Sequence, residues 1–149
     1  MIPLNTYVAS NFLTARAVAR YRLPYNSGVI IFLTATPSKG VAPNRAAAGT
    51  AYGDIEALTR CLATEWSPLG IRVVCIRSGG MYDTNMIQRA FKTLGASKET
   101  IWDNKKHGYL LKRMPVLDDT AKLAAFIASD RGKTFTGAII NASNGQVLD

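Results

Sequence analysis

Cysteine and histidine are scarce in this 149-residue sequence, with two of the first and one of the second. Cys61 and Cys75 are too few for a disulfide framework and, with His107, too few for the roughly four ligands of a structural zinc site. No apolar run approaches the roughly 20 residues that span a bilayer. The opening Met1-Ile2-Pro3-Leu4-Asn5 lacks the basic and then apolar build of a secretory leader. Charged residues make up 19% against 48% hydrophobic, a balance that argues for a folded chain and against disorder. The expectation is one small domain over residues 1–149, in a reducing, cytoplasmic setting.

Acidic residues are also few. Ten Asp and Glu against eighteen Lys and Arg leave a net charge of +8. Seven bases (Arg89, Lys92, Lys98, Lys105, Lys106, Lys112 and Arg113) face only Glu99 and Asp103 between residues 85 and 116. Such an excess attracts anions, yet a solvated helical face accounts for it equally simply. No aromatic-interleaved basic motif or helix-turn-helix spacing accompanies it, so neither a nucleic-acid nor a membrane partner is expected. His107, in a Lys-Lys-His-Gly turn, reads as exposed.

The apolar pattern alternates between two periods. Val8, Phe12, Ala15 and Ala19 recur at steps of four and three, predicting a helix over residues 6–21. Val29-Ile30-Ile31-Phe32-Leu33 follows without alternation, as in a parallel strand covered on both faces. A second helix carries Ile55, Leu58, Leu62 and Trp66, and stops at Ser67-Pro68-Leu69-Gly70. Ile71 to Ile76 is a second strand. Two shorter helical patterns run through the basic region to Pro115, and a third strong helix opens at Asp118-Asp119, where acid favours the positive end of the dipole. Its expected face is Ala121, Ala124, Ala125 and Ala128. Ala138 to Ala142 is a last strand. Both cysteines read as small core residues. The order is α/β with a parallel sheet, since parallel neighbours need crossover connections.

Ligands of open α/β sheets sit beyond the carboxyl ends of the strands. Those ends are Thr34 to Lys39, Arg77 to Thr84 and Asn141 to Gly145. No G-x-G-x-x-G or G-x-x-x-x-G-K-[ST] motif is present, and no glycine-rich turn leads from a first strand into a first helix.

The run from Glu56 to Arg77, with its Leu69-Gly70-Ile71-Arg72-Val73 joint, resembles the C-terminal half of a short-chain dehydrogenase/reductase. Asn11 to Ala17 resembles the preceding helix, Leu110 to Pro115 with Ala121 to Asp130 the late helix, and Thr136 to Gly145 the closing strand. The resemblance implies three strands and flanking helices of a Rossmann-like doubly wound sheet that binds NAD or NADP. It also implies that the glycine-rich cofactor turn would lie upstream of Met1, so that the chain is a fragment or is completed by something else.

In that family a tyrosine and a lysine one helical turn later share a face, the ammonium lowering the phenol's pKa so that it can pass a proton. A serine at the end of the preceding strand holds the substrate oxygen. Two registers are open. One uses Tyr52 as the tyrosine and Ser38 as the serine, but places Glu56 where the lysine belongs. The other aligns the second helix without gaps. It puts Ala48 at the tyrosine, Tyr52 at the lysine, Ala35 at the serine and Tyr7 near the family's asparagine, so that none of the four catalytic side chains is kept.

The cofactor-facing segment carries over better. Arg77-Ser78-Gly79-Gly80-Met81-Tyr82-Asp83-Thr84 keeps Gly79 of the family's Pro-Gly and offers Thr84 one position late, so Gly79, Gly80, Met81 and Thr84 are the expected cofactor contacts. The helical excursion at 84–115 would be a substrate lid, with Met86, Trp102 and Tyr109 lining a pocket. The implied function is NAD(P)-linked hydride transfer to or from a carbonyl or hydroxyl of a small molecule. The alternative is a non-catalytic homologue or fragment serving as a binding or oligomerisation module. Without an upstream neighbour, the Val29–Leu33 strand would present an unpaired apolar edge, which predicts a homo-oligomer.

Overall fold

The computed structural model describes residues 2–40, 44–93, 95 and 106–149. Among them, helix α1 (Ile2–Arg22) leads to strand β1 (Gly28–Ala35), helix α2 (Ala46–Trp66) and strand β2 (Ile71–Ser78). Helix α3 (Asn85–Thr93), helix α4 (Leu117–Ala128) and strand β3 (Ile139–Ala142) complete the order. The strands form one parallel sheet in the order β1-β2-β3, matching the α/β expectation. Both strand ends run two residues past the apolar runs, through Thr34-Ala35 and Arg77-Ser78.

Strand β2 is flanked on both sides and covered on both faces, which is why its sequence does not alternate. Val73 and Cys75 pack with Phe32, Ile55, Leu62 and Ala15 beneath α1 and α2. Val74 and Ile76 point the other way, onto Ile127 with Leu123 and Ile140 beneath α4. The arginine of the Ile71-Arg72-Val73 joint fastens this second layer. Its guanidinium donates to the carbonyls of Ile127 (2.8 Å), Gly132 (3.0 Å) and Phe135 (3.3 Å), satisfying acceptors that the end of α4 leaves over.

Helix phase corrects three expectations. On α4 the inward residues are Leu123, Ala124 and Ile127, while Ala121, Ala125 and Ala128 are exposed. Large side chains at i and i+4 decide which face is buried; alanine suits either. Cys61 is exposed and only Cys75 is in the core, and both are free thiols. On α1, Ala15 and Ala19 are buried, but Phe12 is 39% exposed, beside exposed Leu13, Val18 and Tyr21. No described helix is long and apolar enough to cross a membrane.

Candidate active site

The carboxyl ends of β1 and β2 open into a cavity of about 580 Å³, walled by the first turns of α2 and by the segment after β2. Positions 7, 35, 48 and 52 all line it. Four positions from three elements therefore converge, bearing two phenols and two methyl groups. The Tyr7 and Tyr52 rings meet edge to face, centroids 5.6 Å apart and planes at 74°. Burial raises the Tyr52 pKa, the Tyr7 phenol raises it further, and the nearby Arg45 charge pulls it back. Tyr52 is thus a neutral phenol at pH 7.

Ser38 is not in this wall. Its hydroxyl donates to Glu56 Oε1 at 2.5 Å and accepts from Arg77 Nε at 3.1 Å. Glu56 and Arg77 form a two-pronged pair, Nε to Oε1 and Nη2 to Oε2, each 2.8 Å, with both side chains nearly fully buried. Thr34 Oγ1 adds a bond to Glu56, and Arg77 Nη1 reaches the carboxylate of Asp149. Burial pushes the Glu56 carboxyl up, but hydrogen bonds from Arg77, Ser38 and Thr34 outweigh it and hold the group below the usual carboxylate range. Sequence reasoning missed this triad. An arginine closing an apolar strand was the available signal, because a buried guanidinium requires a carboxylate within reach.

Gly79, Gly80, Met81 and Thr84 all line the cavity. A Cβ on Gly79 would lie 3.1 Å from Gln146 Oε1 and 3.2 Å from Pro115 Cγ, so the loop is packed between the C-terminal tail and the turn before α4. Thr84 caps α3: its hydroxyl donates to Met81 O at 2.9 Å and accepts from the Ile87 amide at 3.4 Å. Asp83 in turn accepts the Leu117 amide at 2.9 Å, tying the same loop to the start of α4. Met86 and Tyr109 line the cavity as expected, whereas Trp102 lies outside the described residues.

These residues fit the reactive end of a nicotinamide better than its phosphates. Side-chain-free Gly80, half-buried at the strand end, puts no side chain into the cavity, and the aliphatic wall of Met81, Ile87 and Met114 suits an uncharged ring. The chain has no glycine-rich strand-to-helix turn for a pyrophosphate. Among the described residues no cluster of three His, Cys, Asp or Glu could hold a metal. Of the seven clustered bases, Lys98 and Lys105 lie outside the described residues and Arg113 is paired with Asp119 at 2.6 Å.

The family model described as enoyl-(acyl carrier protein) reductase matches residues 3–146. An uncharacterized oxidoreductase of Bacillus subtilis, YjdA, is 33% identical over 91% of this chain and 51% of its own. A crystal structure of sorbitol-6-phosphate 2-dehydrogenase from Erwinia amylovora shares the fold, with a TM-score of 0.89 at 24% identity over 99% of this chain and 60% of that one. A xylitol dehydrogenase solved with NAD+ bound gives a TM-score of 0.85 at 25% identity, over 95% of this chain and 58% of that one. The chain spans about half the length of the curated relatives it matches.

Proposed function

Because this chain belongs to the short-chain dehydrogenase/reductase family of oxidoreductases, we propose that it furnishes the substrate side of an NAD(P)-linked site acting on a carbonyl or hydroxyl group of a small molecule. The observation carrying this reading is the convergence of the Tyr52 phenol with the Gly79–Thr84 loop on one cavity. When bound, the nicotinamide supplies or accepts the hydride. Gly79, Gly80, Met81 and Thr84 are the residues that would hold its ring. Tyr52 Oη donates a proton to the substrate oxygen in the reducing direction. Tyr7, packed edge-on, fixes the Tyr52 ring. Of the excursion at 84–115, Thr84, Met86, Ile87, Tyr109 and Met114 border the cavity and would cover the substrate, and a cytoplasmic setting suits the two free thiols.

The test is binding of NADH and NADPH to the purified chain by calorimetry, followed by a carbonyl screen. Tyr52→Phe is expected to lower turnover by at least about 10²-fold while leaving dinucleotide affinity unchanged. Turnover that survives the loss of this hydroxyl would overturn the assignment. A second reading, a non-catalytic binding or oligomerisation module, goes with the ungapped register, which puts Ala35 and Ala48, neither bearing a hydroxyl, at the family's serine and tyrosine. Dinucleotide binding without turnover on any carbonyl would select it.

Both readings include self-association. Among the described residues strand β1 pairs only with β2; Leu33 on it is exposed, and α1 separately exposes Phe12, Leu13, Val18 and Tyr21. An unpaired edge with uncovered apolar surface recruits another chain. Light scattering of the purified chain is expected to give a dimer or larger species, and a dilute monomer would refute this.

A further inference from the structure

Among the described residues lining the cavity, Arg45 is the one cation and none is a carboxylate. The two acids nearest the strand ends, Glu56 and Asp149, are both engaged by Arg77. Arg45 itself makes no ion pair or hydrogen bond through its guanidinium among the described residues, and it is exposed at the rim as the residue before the first turn of α2. Elsewhere the lining is mainly apolar: Met81, Ile87 and Met114 stand on the side of the segment after β2, and the Tyr7–Tyr52 pair on the helical side. Rings set at 74° offer a flat body one face and one edge, while thioether side chains conform to its other side. Ala35 and Ala48 add only methyl groups to the lining.

We infer that this cavity takes a flat, unsaturated carboxylate, with the anionic end on the Arg45 guanidinium and the planar body between the Tyr7–Tyr52 pair and the methionine wall. The inference rests on the proposal that this cavity is the substrate site, and it selects among carbonyl and hydroxyl compounds those that also bear an acid group. Charge-assisted bonds from a guanidinium to a carboxylate are stronger than those to a neutral amide, so ligands of equal shape are separated by charge.

The experiment uses the purified chain without dinucleotide, with 2-naphthoate and its uncharged isostere 2-naphthamide as probes, by calorimetry at low and at physiological salt. The acid is expected to bind at least about tenfold more tightly than the amide, with the preference shrinking as salt rises. Arg45→Gln, a change at an exposed position that leaves the core untouched, is expected to abolish that preference while retaining affinity for the amide. Equal affinity for the two probes, a preference that survives Arg45→Gln, or no binding of either probe would each overturn the inference. Naphthoate selectivity without any dinucleotide binding would leave this inference standing and remove the hydride-transfer reading. Turnover of neutral carbonyls with no preference for the acid probe would do the reverse.

Discussion

Glu56→Ala is expected to destabilise the fold by about 3 kcal/mol, because it strands the buried Arg77 charge with only the half-exposed Asp149 carboxylate as a partner. For a chain of this size that corresponds to a fall in melting temperature of about 6–12 °C. Arginine cannot shed its proton to escape, and the Glu56 bond holds its pKa higher still. The double variant Glu56→Leu/Arg77→Met removes both charges and is expected to be more stable than either single variant, since an apolar pair of similar volume needs no partner. Equal losses in the single and double variants would contradict the coupling. The wild-type pair also sets an acid limit. Glu56 has a lower pKa folded than unfolded, so the unfolded chain takes up its proton first as pH falls. The stabilisation is complete above the unfolded carboxylate value of about 4.3 and is lost as pH drops from there through the folded value. Urea midpoints measured across that range should fall in the wild type, and the part of the slope due to Glu56 should vanish in Glu56→Ala.

Gly70→Ala is expected to cost about 3 kcal/mol, from two causes that add. Gly70 has φ +78°, where an L side chain is strained by about 1–2 kcal/mol. In addition, a Cβ there would lie 2.0 Å from the carbonyl oxygen of Asn26, a backbone atom that cannot rotate away. The turn before β2 must therefore retreat from the turn before β1, and overpacking of that kind costs about 1–3 kcal/mol. These two turns set the start of the ladder, in which Gly28 stands opposite Ile71. Gly53→Ala is the control: nothing lies within 4 Å of its added Cβ, and alanine favours the helix, so its midpoint should stay level or rise. A Gly70→Ala midpoint as high as that of Gly53→Ala would show that the approach is not as close as described.

Much of the architecture was legible because strands of a parallel sheet leave a plain mark, an apolar run without alternation. Both long strands carry it, although only β2 is buried almost throughout while Leu33 on β1 is exposed. Their last two residues were not legible, since Thr34, Arg77 and Ser78 read as loop until Glu56 and its neighbours supply buried partners. Alanine-rich α4 misled for a different reason: four alanines outvote Leu123 and Ile127 in a residue count, but the two larger side chains have more apolar area to bury. In the site, positions 7, 35, 48 and 52, which the ungapped register singled out, line one cavity. What the pattern could not yield was the Arg77 triad, whose members are separated by 21 and 72 positions.

Those separations have a kinetic meaning. The Glu56–Arg77 bond closes with the first crossover, the connection that also brings β1 beside β2. Its third member waits for the chain to return through α4 and β3, a loop of much higher closure entropy. The Asp149 contact is accordingly among the last to form during folding and among the first to open. Its loss should quicken unfolding while the refolding rate hardly changes, which makes the tail a brake on the native state rather than a guide to it.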